Sequence, residues 1–163
     1  MKQRNLLFSL LISITISSCT KDVVYRNCTT IPNDIWDMNK PLTFDVPVSD
    51  TINKYNIFVT VRNADNYDFS NLYLFIDINS PMKVVERDTM ECILADANGK
   101  WLGSGLGDIW DNKILFKRNV KFRKPGIYEF IITQAMRVDS LPMIMDAGLS
   151  IEKSPVNSAQ KYN

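Results

Sequence analysis

The chain has 163 residues, 45% of them hydrophobic and 23% charged, which suits one globular core and requires no second domain. Nineteen Lys and Arg against eighteen Asp and Glu leave a net charge of +1, which excludes the basic field that nucleic-acid binding needs. The absence of histidine removes Ser-His-Asp, Cys-His and histidine-zinc chemistry together, so any catalysis would rest on carboxylates, Lys, Tyr or Cys.

In chain order, the first element is an address. Lys2 and Arg4 precede the apolar run LLFSLLISITI at 6–16, which is shorter than the roughly 20 residues a membrane span needs. A cationic start, a short apolar run and small residues behind it describe a secretory signal peptide over 1–18. Ile16-Ser17-Ser18-Cys19 fits the bacterial lipobox, in which a signal peptidase cuts before a diacylated thiol. Cys19 is therefore expected to carry the lipid and to open the mature chain, with the two or three acyl tails that stable anchoring requires. Removing 1–18 takes away two cations and no acid, so the mature balance is 17 against 18, or −1.

Residues 19–32 read as a lipid-anchored tether with room for one edge segment, and 33–153 as the domain. Within it the pattern has period two: Tyr55, Ile57, Val59 and Val61 alternate with Asn56, Phe58, Thr60 and Arg62, Leu72, Leu74, Ile76 and Ile78 with Tyr73, Phe75 and Asp77, and Tyr128, Phe130 and Ile132 with Glu129, Ile131 and Thr133. Strands over 42–46, 55–62, 72–78, 83–94, 114–122, 128–133 and 145–152 make about seven or eight. Turn residues separate them, and no apolar stripe at helical spacing runs for long without Pro or Gly. The expected fold class is all-β: an antiparallel sandwich, Ig-like or jelly-roll-like. Residues 154–163 are polar, contain Pro155 and are expected to fray.

Two thiols remain after Cys19. Cys28 and Cys92 admit two readings: a disulfide suited to an oxidising compartment, or a free thiol near the tether and a small buried hydrophobe. Spacing cannot choose between them.

Four of the six glycines fall between Gly99 and Gly107, in LADANGKWLGSGLGDI. A phosphate loop needs its Lys after the last glycine and a helix beyond; here Lys100 comes early, no helix follows, and Asp108 and Asp111 would repel the anion. The stretch reads instead as a tight connection around Trp101. Asp96, Asp108 and Asp111 match no calcium-loop spacing, so no metal and no cofactor is expected. Trp101 and Asp108 stand as a candidate partner surface, with an exposed-Trp glycan- or ligand-binding module as the alternative.

Asp50-Thr51-Ile52, Asp88-Thr89-Met90 and Asp139-Ser140-Leu141 each place Ser or Thr between Asp and an apolar residue, which resembles the O-glycosylation motif of exported Bacteroidota proteins. Thr51 and Ser140, in expected loops, are the candidate acceptors. The runs YDFSNLYLFI at 67–76, DTME at 88–91, GKWLGSGLGDI at 99–109, QAMR at 134–137 and DAGLSIEK at 146–153 resemble the GldH family of gliding-motility lipoproteins from Bacteroidota. That resemblance implies a non-enzymatic outer-envelope lipoprotein supporting gliding and the associated type IX secretion. It implies partners among other envelope proteins of those systems, and carries over one functional residue, the lipid-bearing Cys19. The expected location is the outer membrane, facing the periplasm, with the cell surface as the alternative.

Overall fold

The computed structural model describes residues 23–155. Its strands are β1 (Val23–Thr30), β2 (Ile35–Asp37), β3 (Leu42–Val48), β4 (Tyr55–Ala64), β5 (Asn71–Asn79), β6 (Val85–Ile93), β7 (Ser104–Leu106), β8 (Ile109–Val120), β9 (Gly126–Gln134), β10 (Ser140–Pro142) and β11 (Ile144–Lys153). One sheet has the order β1-β11-β4-β8-β7, a second β3-β9-β5-β6, and β2 pairs with β10 in a short ribbon; every pairing is antiparallel.

Alternation decides which side chains meet between the sheets. Ile57, Val59 and Val61 of β4, with Ala147, Leu149 and Ile151 of β11, face Phe44 and Val46 of β3, Leu72, Leu74 and Ile76 of β5, and Phe130 and Ile132 of β9. Each is almost wholly removed from water, so the apolar half of every period-two run is what holds the layers together. The all-β antiparallel sandwich is the fold expected, but with eleven strands where the pattern gave seven or eight. The additional ones are β2, β7 and β10, three residues each and too short to show a period, and β1. β1 lies within the segment assigned to the tether and pairs with β11 from Tyr25 to Thr30.

Strand directions define two ends. Val23 of β1 lies beside Glu152, Lys153 of β11 beside Tyr55, and Tyr55 beside Val120, so the described chain begins at the end that carries the turns at 49–54, 80–84 and 121–125. We call this the proximal end. Ala64 lies beside Ile109, placing the loops at 64–70 and 94–108 at the opposite, distal end.

The distal end is closed by the β2/β10 ribbon, where Trp36 is 1% exposed and its indole N–H donates to the Lys40 carbonyl at 3.3 Å. Buried Gln134 fixes the neighbouring loop. Its amide donates to the Val138 carbonyl at 2.8 Å, and its oxygen accepts the Met136 N–H at 2.9 Å. Gln134→Leu is expected to leave both backbone groups without partners, at about 1–3 kcal/mol of stability. The check is a lower urea midpoint with an unchanged slope.

The free side of β8 is guarded. Its register with β4 is interrupted between Tyr55 and Ile57 and again between Ile57 and Phe58, and Lys117 turns toward the other sheet to meet Glu86 at 3.4 Å and Asp88 at 2.7 Å. Bulges and an inward lysine are devices that stop an edge strand from pairing with another chain.

Candidate functional site

The glycine-rich stretch is two successive turns at the distal end. In the first, the Asp96 carboxylate accepts the N–H groups of Asn98 and Lys100, both at 2.9 Å, and the chain returns so that Trp101 bridges Ala95. In the second, β7 and β8 form a hairpin whose last pair is Leu106 with Ile109, closed by Gly107 at φ 70° and by Asp108. Positive φ is what a two-residue hairpin turn demands and what glycine supplies. Gly105 pairs with Trp110, and a Cβ there would lie 2.7 Å from the Trp110 ring, so the missing side chain lets the indole lie across the strand.

Side chains lock this end. The Trp110 indole N–H donates to Asp65 at 3.0 Å, and the Asp65 N–H donates to the Asp108 carbonyl at 2.7 Å, tying the hairpin tip to the loop after β4. Asn112, buried in β8, donates to Asn63 at 2.9 Å and to the Val61 carbonyl at 3.2 Å. Trp101 is half-buried, packed on the core with its ring centroid 6.4 Å from that of Tyr67. What reaches solvent is the hairpin itself: Leu106 is 94% exposed, Leu102, Phe69 and Ile109 are exposed nearby, and Asp108 stands free at the tip.

The structure thus brings Trp101 and Asp108 to one end, but Trp101 supports the surface from beneath while Leu106 and Asp108 present it. Asp65, Trp110 and Leu106 were not legible as members of this site. Only the β7/β8 register reveals that Trp110 lies over a glycine. Among the described residues, no group of three or more Cys, Asp or Glu side chains gathers as a metal site; Asp96 caps its own turn, and Asp111 holds Arg62 at 2.7 Å.

The other candidates lie elsewhere. Cys19 falls outside the described residues. Thr51 is half-buried in the proximal turn where Asp50 accepts the Ile52 N–H at 2.8 Å; hydrogen bonds from Asn53 and that backbone hold the Asp50 carboxyl below its usual range. Ser140 is exposed at the start of β10, in a strand and not in the expected loop.

Cys28 and Cys92 are both free, which corrects the disulfide reading. Cys28 faces outward, lining a groove with Thr60, Arg62 and Lys113 on the outer side of the five-stranded sheet. Cys92 points into the core from β6, so a whole sheet separates the thiols. Burial, with Glu91 beside it, pushes the Cys92 thiol up to about 12. At pH 8 a maleimide is therefore expected to label Cys28 and to leave Cys92 unmodified until the protein is unfolded, as peptide mass mapping would show.

The comparisons with known proteins agree with this arrangement. The family model described as GldH lipoprotein matches residues 23–151, from the first strand almost to the end of the last. A gliding motility lipoprotein GldH homolog from Christiangramia forsetii is 37% identical over 148 residues, covering 86% of this chain and 90% of the relative. Gliding motility lipoprotein GldH from Flavobacterium johnsoniae is 36% identical over 160 residues, covering 94% and 99%. A solved structure of infectious bursal disease virus, Gx strain, aligns with a TM-score of 0.29 at 10% identity over 83% of this chain and 34% of that one, too slight a likeness to carry an argument. A single match spanning both sheets, with two relatives aligned over nearly their full lengths, leaves one conclusion: the chain belongs to the GldH lipoprotein family.

Proposed function

We propose that this chain is a non-enzymatic accessory lipoprotein, anchored through Cys19 in the outer membrane and facing the periplasm. There it supports gliding motility and the associated type IX protein secretion by presenting its distal hairpin to another envelope protein. The observation that carries the reading is position: the Leu106–Asp108 tip lies at the opposite end of the sandwich from Val23, where the described chain begins. A tether at one end and a recognition surface at the other suit a protein that works from a membrane, where confinement lets weak interfaces suffice.

The carboxylates of the outer groove favour a binding role over catalysis. Asp111 and Asp146 are both engaged by Arg62, at 2.7 and 3.1 Å, and no nucleophile motif accompanies them. Of the two acceptor positions for O-glycosylation, exposure favours Ser140 over Thr51.

A deletion strain is expected to lose colony spreading and export of secreted proteins. Wild-type gene should restore both, and a Leu106→Asp variant should restore neither while remaining folded in the membrane. Normal spreading and export in the deletion strain would sink the proposal. Full rescue by Leu106→Asp would remove the hairpin from it.

A further inference from the structure

We infer that the proximal end of the sandwich is a docking surface for an anionic phospholipid bilayer. The inference rests on the reading of Cys19 as the lipid-bearing residue. Three residues lie between Cys19 and Val23, and the four Cα-to-Cα steps this makes span at most ~14 Å even when fully extended. The tether therefore keeps the proximal end within reach of the headgroups, where an attraction between the two can decide how the sandwich tilts.

Charge divides between the two ends. The proximal turns and the end of β11 carry Lys54, Lys83, Lys121, Arg123, Lys124 and Lys153 against two acids, Asp50 and Glu152, the second of which is held by Lys113 at 2.7 Å. The distal loops carry Asp34, Asp37, Asp65, Asp68, Asp96, Asp108 and Asp139 against Lys40, Lys100 and Arg137. Among the described residues, no carboxylate lies within 4.0 Å of any of the six proximal cations, all of which are exposed. Surface cations are usually scattered among acids. Here four net positive charges, six cations against two acids, face the side from which the tether comes, within a Debye length or two of the surface it reaches.

Apolar side chains stand among those cations. Ile52 is 83% exposed at the tip of the 49–54 turn, and Met82 and Val84 flank Lys83 in the next. Single exposed hydrophobes are ordinary. Two turns that each pair an exposed hydrophobe with lysine, beside a third turn holding Lys121, Arg123 and Lys124, match the composition of interfacial segments, in which apolar tips enter the headgroup boundary and cations meet the phosphates. Asp50 does not oppose this, because its carboxylate is turned into its own loop by Ile52 and Asn53.

The test uses the acylated mature chain with Cys28→Ser, purified from native membranes and placed on vesicles of phosphatidylethanolamine and phosphatidylglycerol. An environment-sensitive fluorophore is attached through Ile52→Cys or, separately, Leu106→Cys. Spin-labelled lipid is expected to quench the label at 52 several-fold more than the label at 106. That difference should vanish in 0.5 M NaCl, on neutral phosphatidylcholine, and in a Lys121→Glu, Arg123→Glu, Lys124→Glu variant, while the acyl chains keep the protein on the vesicle. Equal quenching at 52 and 106 with the protein still bound would overturn the inference and leave the anchor reading intact. Shielding of position 52 in whole cells but not on pure lipid would also overturn it, by assigning this end to a protein. Vesicle flotation on neutral lipid that survives Cys19→Ala would instead strike the anchor reading.

Discussion

Replacing Cys19 with alanine is expected to move the protein from the membrane to the soluble periplasmic fraction and to abolish rescue of a deletion strain. Each buried methylene of an acyl chain contributes about 0.8 kcal/mol, so the two or three tails of a lipidated Cys19 would hold the protein for practical purposes permanently, and losing them would cost several orders of magnitude in membrane occupancy. The distal hairpin would keep its geometry, because Asp65, Trp110 and Asn112 hold it from within the sandwich. What disappears is confinement, and with it the effective concentration on which the proposed recognition through the apolar tip around Leu106 would depend. Some binding to anionic vesicles should persist through the proximal cations and disappear at high salt. Fractionation, intact mass of the mature N-terminus and a spreading assay read the three consequences separately. A Cys19→Ala protein that stayed in washed membranes and restored spreading would refute the anchor.

Legibility followed burial. β4, β5 and β9 were readable because one face of each is packed and the other wet, so Tyr55 to Val61, Leu72 to Ile78 and Tyr128 to Ile132 alternate cleanly. β1 has no such signature: from Arg26 to Thr30 every side chain is exposed, and the strand is held by its backbone ladder to β11. The Gly103–Gly107 stretch declared a turn through its glycines, but which side chain lies over Gly105 depends on the β7/β8 register, and that is set by which two residues, Gly107 and Asp108, form the turn. The two charged ends were the least legible feature. A net charge of +1 over the whole chain conceals them, since the cations at 54, 83 and 121–124 lie far apart in sequence and meet only because three turns share one end.

That shared end depends on β1 staying attached, and Gly148 is where the attachment is most easily broken. Gly148 lies in β11 between Cys28 of β1 and Thr60 of β4. A Cβ at this position would lie 2.5 Å from the Asn27 carbonyl oxygen, 2.7 Å from the Thr60 hydroxyl and 2.8 Å from the Cys28 Cα. Two of the three obstacles are β1 backbone, which no rotamer change relieves. β4 is fixed between β11 and β8 with Ile57, Val59 and Val61 in the core, whereas β1 is an edge strand with Tyr25 partly packed against it. Gly148→Ala is therefore expected to cost about 1–3 kcal/mol, the range of other overpacking substitutions, by displacing β1 while the sandwich persists. Amide exchange should quicken from Tyr25 to Thr30 and remain slow in β4 and β8. Freed as far as Thr30, the tether lengthens from four Cα-to-Cα steps to eleven, and its reach rises from ~14 Å to ~39 Å. The proximal turns would then no longer be held at the headgroups, and lipid quenching at position 52 should fall although the acyl chains remain inserted. Unchanged protection across β1 in Gly148→Ala would mean that β11 absorbs the added carbon, and the coupling between edge strand and membrane contact would fail with it.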